Sequence, residues 1–437
     1  MKVSNWGNYP SVDVPMLDYR PGRPMPDDPG GWIARGMGRC YGDSALGSTI
    51  VSALKRDRIL AFDPETGLIA CEPGVTYADL IRVFAPRGWF PPVTPGTKFV
   101  SMGGALASDV HGKNHHVDGS VSRHVESFRL LTGAGEVLDC SRQQHPEVFD
   151  ATMGGMGLTG FILDLTLRLK PIETTAIRLE SIKARNLEEI FGLFDAFGQS
   201  TYSVAWIDTL ASGRALGRSI LMTGEHARRA ELPAGAEPLA LPRSRSLSVP
   251  VHLPAFTLNR LSIGAFNTLY YAKQLRRVQT GLSSYEPFFY PLDAIHHWNR
   301  IYGRRGFTQY QFVVPKAAGQ AAIREALNTV REAGFGSFLS VLKLFGPQAG
   351  MMAFPMEGYT LTLDFPISRR LFPMLDRLDA LVAGYGGRVY LTKDVRLGPE
   401  MLARMYPRLP EFKAIVHRLD PEGRIRSLQS DRLKIKE

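Results

Sequence analysis

Four basic side chains crowd into six residues of one glycine-rich stretch, residues 94–120: His111, Lys113, His115 and His116. The glycines predict a loop here rather than a helix or a strand. A loop that exposes backbone N–H groups and small hydroxyls can bind a pyrophosphate, and the basic cluster that follows could face a second, reacting ligand. The alternative is a surface loop that is merely rich in turn residues.

Two further glycine-rich turns occupy residues 31–44 and 153–160. The second of them runs into residues 163–169, where leucines alternate with polar residues as in a half-buried strand. The residues after Gly42 lack a helical pattern, which argues against a Rossmann fingerprint. Three such turns, each tied to short strands, indicate an extended cofactor lying across an α+β domain.

Local signals outline the elements around these turns. Hairpins are predicted at residues 58–72 and 125–140, and a helix is predicted at residues 76–85 with Thr76 as its N-cap. After Pro171 the pattern changes to strands that alternate with amphipathic helices. This middle region predicts an antiparallel sheet covered by helices, forming a separate substrate domain.

Composition favours a globular protein with anionic partners. The chain has 437 residues, 44% of them apolar, and a net charge of +10. That balance favours phosphates or acidic lipids, and the absence of any nucleic-acid-binding motif argues against a nucleic-acid partner. No signal peptide or transmembrane segment is visible, which predicts a protein in the cytoplasm or at the membrane periphery.

Two further features of the sequence are a stretch without periodicity, residues 225–254, and three isolated cysteines. Residues 225–254 are rich in Pro, Arg, Ala and Ser without periodicity, which predicts a mobile loop. Such a basic, partly apolar loop can make peripheral membrane contact, and a plain disordered insert is the alternative. Cys40, Cys71 and Cys140 form neither a metal spacing nor a disulfide framework, so no metal site is expected.

Several of these stretches carry a family resemblance. Residues 35–43, 95–105 and 157–160 resemble the flavin domain of the vanillyl-alcohol oxidase and p-cresol methylhydroxylase superfamily. Residues 109–116 and 343–347, together with Gln309–Phe312 and Lys393–Asp394, resemble its branch of decaprenylphosphoryl-β-D-ribose 2′-oxidases. The resemblance covers nearly the whole chain.

The resemblance implies an α+β fold built from two domains. A two-part FAD-binding domain of the p-cresol methylhydroxylase type would comprise residues 1–173 and 388–437, and residues 174–387 would form the substrate-binding domain. FAD would be bound without a covalent link, because Arg39 stands where relatives with a tethered flavin carry a histidine.

The resemblance also assigns residues to the cofactor and the substrate. The residues implied to line FAD are Arg35, Gly36, Gly38, Arg39, Cys40, Tyr41, Gly42, Asp43, Ser44, Gly96, Ser101, Met102, Gly103, Gly104, Ser108, Asp109, His111, Gly157, Ile162, Tyr390 and Lys393. The residues expected to contact substrate are Tyr41, Lys113, Trp206, Gln311, Lys343 and Thr362. Thr362 stands where relatives often carry a cysteine, and Thr360 where they carry an asparagine, so the pocket shape can differ.

Lys393 and His111 are the implied catalytic residues. Lys393 follows a predicted strand, and its charge could help a flavin accept negative charge, although most lysines are simply solvated. An unperturbed histidine titrates near neutrality, so His111 could act as a base, and an orienting role fits it better. Lys343 lies between two leucines of a strand, where it either meets a phosphate or sugar oxygen or faces water.

The implied reaction is FAD-dependent oxidation of the 2′-hydroxyl of a polyprenyl-phosphoryl-β-D-ribofuranose to a keto sugar. A separate NADH- or NADPH-dependent reductase would then complete a ribose-to-arabinose epimerisation for the cell envelope. The alternatives are an oxidase of free alditols or sugar lactones on the same fold, and a flavin-binding protein without turnover.

Overall fold

The computed structural model describes residues 1–242 and 246–436. Its N-terminal part contains two larger sheets. A parallel sheet has the strand order Met16–Asp18, Thr49–Ser52, Trp32–Arg35. An antiparallel sheet has the order Val137–Ser141, Val125–Leu131, Phe161–Arg168, Leu68–Cys71, Ile59–Phe62.

The local predictions for this part are confirmed at three places. Both predicted hairpins form, with Val125–Leu131 paired to Val137–Ser141 and Ile59–Phe62 paired to Leu68–Cys71. The predicted helix runs Tyr77–Phe84. Its N-cap is Thr76, whose hydroxyl accepts the backbone N–H of Asp79 while the Asp79 carboxylate accepts that of Thr76. This reciprocal capping box satisfies two backbone donors that a helix start leaves free.

The prediction of a loop over residues 94–120 is wrong for part of that stretch. Met102–Ala107 forms a short helix that begins after Ser101, and His115–Asp118 forms a further helical turn. Glycine disfavours a helix by only about 1 kcal/mol. Burial of Met102, Ala105 and Leu106 in the core outweighs that cost.

The middle of the chain builds one eight-stranded antiparallel sheet, as the sequence predicted. Its strand order is Val278–Ser284, Ala176–Ala184, Ser219–His226, Tyr202–Ile207, Ser340–Phe345, Gly358–Pro366, Phe307–Pro315, Arg388–Val389. The helices Leu187–Ala196, Gly319–Glu332 and Leu371–Gly384 lie along this part of the chain. Their apolar residues pack against one face of the sheet, and Leu361 and Leu363 are among the strand residues on that face.

Shorter elements complete the described fold. The strands are Lys2–Ser4 with Ser11–Asp13, Trp89–Phe90 with Lys170–Pro171, and Leu247–Ser248 with Ile295–His296. The helices are Pro146–Thr152, Arg260–Lys273, Tyr285–Phe289, Pro399–Met405, Leu409–Leu419 and Leu428–Arg432. No helix of the described residues is long and apolar enough to cross a bilayer. Part of the predicted loop at 225–254, residues 243–245, lies outside the described residues.

The C-terminal segment returns to the N-terminal sheets. Ile425 bridges Trp32 beside the parallel sheet. The Arg432 guanidinium donates to both carboxylate oxygens of Asp43, at 3.0 and 2.8 Å. Arg388–Val389, in contrast, pairs with the eight-stranded sheet. The chain therefore passes from one sheet system to the other directly after this edge strand, and the domain boundaries given above stay a prediction.

Candidate active site

One row of side chains crosses four strands of the eight-stranded sheet. Trp206 pairs with Val341, and Val341 pairs with Thr362. Thr362 in turn pairs with Gln311. Directly paired residues of antiparallel strands project from the same face, so three residues expected to contact substrate share one surface. Lys343, two residues beyond Val341, projects from that face as well.

Glycines let the separate turns approach each other closely. A Cβ on Gly36 would lie 2.0 Å from the Oγ of Ser101, and a Cβ on Gly42 would lie 1.7 Å from the carbonyl oxygen of Asp394. Any side chain at these two positions would push the three segments apart. The first turn along the chain, residues 31–44, is thereby held against both the turn at residues 94–120 and the segment that follows the edge strand.

Other glycines leave open space for a ligand. Counting the described residues, a Cβ on Gly96 would meet no atom within 4 Å, and a Cβ on Gly157 would meet none closer than 3.9 Å. Among the described residues, the Thr94 hydroxyl, the His111 Nδ1 and the Tyr77 hydroxyl are buried without a hydrogen-bond partner. Buried polar atoms are normally satisfied. Unfilled space at two of the glycine-rich turns, together with buried polar atoms that lack a partner, fits a bound polar cofactor such as FAD.

His111 joins the glycine-rich stretch to the polar face of the sheet. Its Nε2 lies 2.9 Å from the Nε2 of Gln311. Its ring packs against three aromatic side chains: Phe345, Phe354 and Tyr390. Burial, together with the charge of Lys343, lowers the pKa of His111 well below its usual value. His111 is therefore neutral at physiological pH, and its geometry suits orientation better than proton abstraction.

Two half-buried lysines lie by this face without a carboxylate partner among the described residues. Lys113 donates to the Phe288 carbonyl oxygen, and its Nζ lies 4.4 Å from the centre of the Phe288 ring. The Nζ of Lys343 lies 5.7 Å from the centre of the Phe345 ring. Burial lowers the pKa of Lys113 to about 7 and that of Lys343 to about 8. Neither lysine forms an ion pair within the described residues, so an anion from outside the chain can satisfy them.

Lys393 shares its surroundings with a carboxyl group, Asp364. The Nζ of Lys393 lies 4.0 Å from the centre of the Tyr41 ring. Burial lowers the pKa of Lys393 to about 7, and the Asp364 charge opposes that shift. Burial raises the pKa of Asp364 to about 7, and hydrogen bonds from Gln309 (2.6 Å) and Tyr302 (3.1 Å) oppose that shift. Two groups that titrate near neutrality suit proton transfer at physiological pH.

Several residues expected to line FAD use their side chains within the protein. Arg35 donates to the Ser4 carbonyl oxygen at 2.8 Å, and Asp43 is paired to Arg432. The Asp109 carboxylate accepts from the Ser120 hydroxyl at 2.7 Å. These side chains shape the turns, and their backbones remain able to meet a cofactor.

The other expected cofactor positions lie along the same turns and beside the edge strand. They are Gly38, Arg39, Cys40, Ser44, Met102, Gly103, Gly104, Ser108, Ile162 and Tyr390. The Tyr390 hydroxyl donates to the Ser108 carbonyl oxygen at 2.7 Å, which links the residue after the edge strand to the turn at residues 94–120. The assignment of individual residues to FAD stays a prediction.

Sequence reasoning missed two residues that organise this site. Asp364 alternates with Thr360 and Thr362 along its strand, so the period of two could have placed it on the polar face. Arg432 had no such signal. Its guanidinium donates to Asp43 and, at 2.9 Å, to Asp394, and it thereby joins the first turn to the residue after Lys393.

Comparison with known proteins defines the class. Residues 30–141 match the FAD binding domain family, which contains two of the three glycine-rich turns. The chain is 36% identical over 413 residues to "Decaprenylphosphoryl-beta-D-ribose oxidase" of Mycolicibacterium smegmatis, covering 93% of this chain and 89% of that protein. Together with the site, these matches define an FAD-dependent oxidoreductase.

Two further matches help to narrow this class to one family. It is 36% identical over 361 residues to an uncharacterized Streptomyces coelicolor protein, covering 80% of this chain and 97% of that one. It is also 29% identical to "L-gulonolactone oxidase" of Scyliorhinus torazame, over 35% of this chain and 34% of that protein. The chain belongs to the decaprenylphosphoryl-β-D-ribose oxidase family.

Proposed function

We propose that this enzyme oxidises the 2′-hydroxyl of a polyprenyl-phosphoryl-β-D-ribofuranose to the 2′-keto sugar. The observation that carries the proposal is the pair of half-buried lysines, Lys113 and Lys343, that have no carboxylate partner in the described chain. A buried charge is costly without a counterion, and a substrate phosphate supplies one. Gln311 and Thr362 offer hydrogen-bond donors and acceptors on the same face, which suits sugar hydroxyls.

FAD, when bound, supplies the acceptor for the hydride that leaves the sugar carbon. The turns at residues 35–44, 94–111 and 153–160 would hold it, with Tyr390, which directly follows the edge strand. No histidine stands in the first turn, which favours a non-covalent complex. The protein's contribution is to position the alcohol and to handle its proton.

We assign to Lys393 the role of the base that accepts this proton. With a pKa near 7, a substantial fraction of Lys393 is a neutral amine at physiological pH, and this amine can accept the proton of the 2′-hydroxyl. The ammonium that results is a positive charge created where negative charge accumulates. Asp364 holds the pKa of Lys393 up against burial, and His111 positions the ligand through Gln311.

One spectroscopic experiment tests the proposal. The purified protein should show the visible flavin spectrum, and a short-chain prenyl-phosphoryl-ribose should bleach it without oxygen. The arabinose epimer and free ribose serve as matched controls and should bleach it much more slowly. A preparation that takes up no flavin, or a flavin that the phosphoryl-ribose leaves oxidised, would overturn the assignment.

A second candidate is oxidation of a free alditol or sugar lactone, which the similarity to L-gulonolactone oxidase favours. It predicts bleaching by free lactones at rates that do not depend on Lys343. For the first candidate we also propose that a separate NADH- or NADPH-dependent reductase consumes the keto sugar, because a ketone needs a hydride donor to become the epimeric alcohol.

A further inference from the structure

The helix Arg260–Lys273 carries apolar side chains on its exposed face. Leu261 is 85% exposed and Leu269 is 71% exposed. They lie eight residues apart, and Ala265 stands between them, so the three fall on one side of the helix. The residues that flank the helix continue this character, since Phe256 is 74% and Leu275 is 89% exposed. We call these four large side chains the apolar ridge.

The inner side of the same helix is partly polar. Asn267 is fully buried, and its amide donates to the carboxylate of Asp208 at 2.8 Å. A helix on a globular surface normally buries its apolar residues and exposes its polar ones. This helix is instead anchored by the buried hydrogen bond from Asn267, and its residues Leu261 and Leu269 are exposed to water. The arrangement is costly unless another apolar phase covers the ridge.

The charge around the ridge identifies the covering partner. Residues 246–285 contain no aspartate or glutamate. Four basic residues of this stretch are all exposed: Arg260, Lys273, Arg276 and Arg277. Apolar side chains bordered by lysine and arginine are the pattern of a surface that rests on anionic lipid headgroups. The same charges would repel a second copy of the surface, which disfavours self-association there.

Aromatic side chains connect the ridge helix to the active site. Phe266 lies 5.4 Å from Phe338, which stacks on Tyr302 at 5.7 Å between ring centres. The Tyr302 hydroxyl donates to Asp364 at 3.1 Å. Tyr270 of the same helix packs against Trp206 at 4.7 Å. The inner edge of the helix thus borders the face that is assigned to the sugar.

We propose that the apolar ridge docks on an anionic bilayer and that the lipid-linked substrate reaches the sheet along the inner edge of this helix. The bilayer keeps the polyprenyl chain while the phosphoryl sugar enters beside Trp206. The entry of the substrate rests on the proposed function, whereas the docking itself does not. The lipid contact therefore belongs to helix 260–273 and its flanks.

Flotation with lipid vesicles tests the docking in the full-length FAD-loaded protein. We expect binding to phosphatidylcholine vesicles that contain phosphatidylglycerol, and much weaker binding to pure phosphatidylcholine. Replacing Leu261 and Leu269 together by serine should lower the bound fraction about tenfold. The matched control replaces Leu60 and Val137, also exposed apolar residues but on the N-terminal sheet, and should bind as the unaltered protein does.

Three results would overturn the docking proposal. The first result is that the unaltered protein binds neither kind of vesicle. The second is that the double serine variant binds vesicles as well as the unaltered protein does. The third is a concentration-dependent dimer that this variant abolishes, because the ridge would then be an interface between copies. Flavin bleaching by a water-soluble short-chain substrate is measured in parallel. That rate should be equal in all variants, so a failed proposed function is seen separately from failed docking.

Discussion

The pKa coupling between Asp364 and Lys393 gives the sharpest test of the site. Replacing Asp364 by asparagine keeps its size and removes the charge that raises the pKa of Lys393. Loss of an opposite charge at close range lowers a lysine pKa by about 1–3 units. A fall of about 1.5 units moves Lys393 from about 7 to about 5.5.

The variant should therefore reach its maximal rate at lower pH. The neutral amine is the active form, so the rate of flavin reduction rises with pH through the pKa of Lys393. At about pH 7.5, where most of Asp364 is ionised, about three quarters of Lys393 is neutral in the original protein, and nearly all of it would be neutral after that fall. The weaker base should also lower the plateau rate. Stopped-flow bleaching of the flavin across the pH range measures both effects.

A matched control separates charge from structure. Asp379 is also a buried carboxyl with a raised pKa, about 6, and it accepts a hydrogen bond from Tyr310 at 2.8 Å. Tyr310 projects from the helix-covered face of the sheet, since it pairs with Leu363. Asp379→Asn should leave the pH profile in place. In Asp364→Asn, the pH at which the rate of flavin reduction rises should fall. If that pH stays the same or increases, the role given to this pair is refuted.

Three further predictions follow from the same geometry. Lys393→Ala should retain FAD in the visible spectrum yet lose most of the rate of flavin reduction, and unchanged bleaching would remove Lys393 from the mechanism. Lys343→Ala should raise KM for the phosphoryl sugar about 10–100-fold, the loss of a charged hydrogen bond of about 1.5–3 kcal/mol, while exposed Lys316→Ala should not. Gly42→Ala should lower the free energy of unfolding by about 1–3 kcal/mol and release FAD, as thermal melts and the flavin retained on a desalting column will measure. Gly398→Ala is the matched change, because a Cβ there meets no atom within 4 Å.

The sequence predicted the elements whose signals are local. Thr76 and Asp79 stand at capping-box spacing, and the leucines of Phe161–Arg168 alternate as a half-buried strand requires. The helix Met102–Ala107 is not predicted from the sequence, because its stability comes from burial in the core rather than from the helix propensity of its residues. Tertiary packing can override helix propensity in this way.

The site was predictable only where one residue type implied one chemistry. Lys393 and Lys343 are both candidates from the sequence, yet nothing local indicates that, among the described residues, one has a carboxylate beside it and the other has none. That difference depends on strand register, which places Asp364 opposite Gln309 and Thr360 opposite Lys343. Register is set by long-range pairing, and a slip of one residue would turn all of these side chains to the other face.

The anion site and the proton site are electrostatically linked through Lys343. Its positive charge lowers the pKa of His111, Lys113 and Lys393 alike. A bound phosphate would neutralise that charge, so the pKa of Lys393 would rise and its amine would become a stronger base. A free sugar lacks the phosphate and would meet the weaker base. At a pH well above the pKa of Lys393, where the amine is neutral in either complex, the free sugar should therefore be oxidised more slowly than a phosphoryl sugar even when both saturate the enzyme, and this difference should shrink in Lys343→Ala.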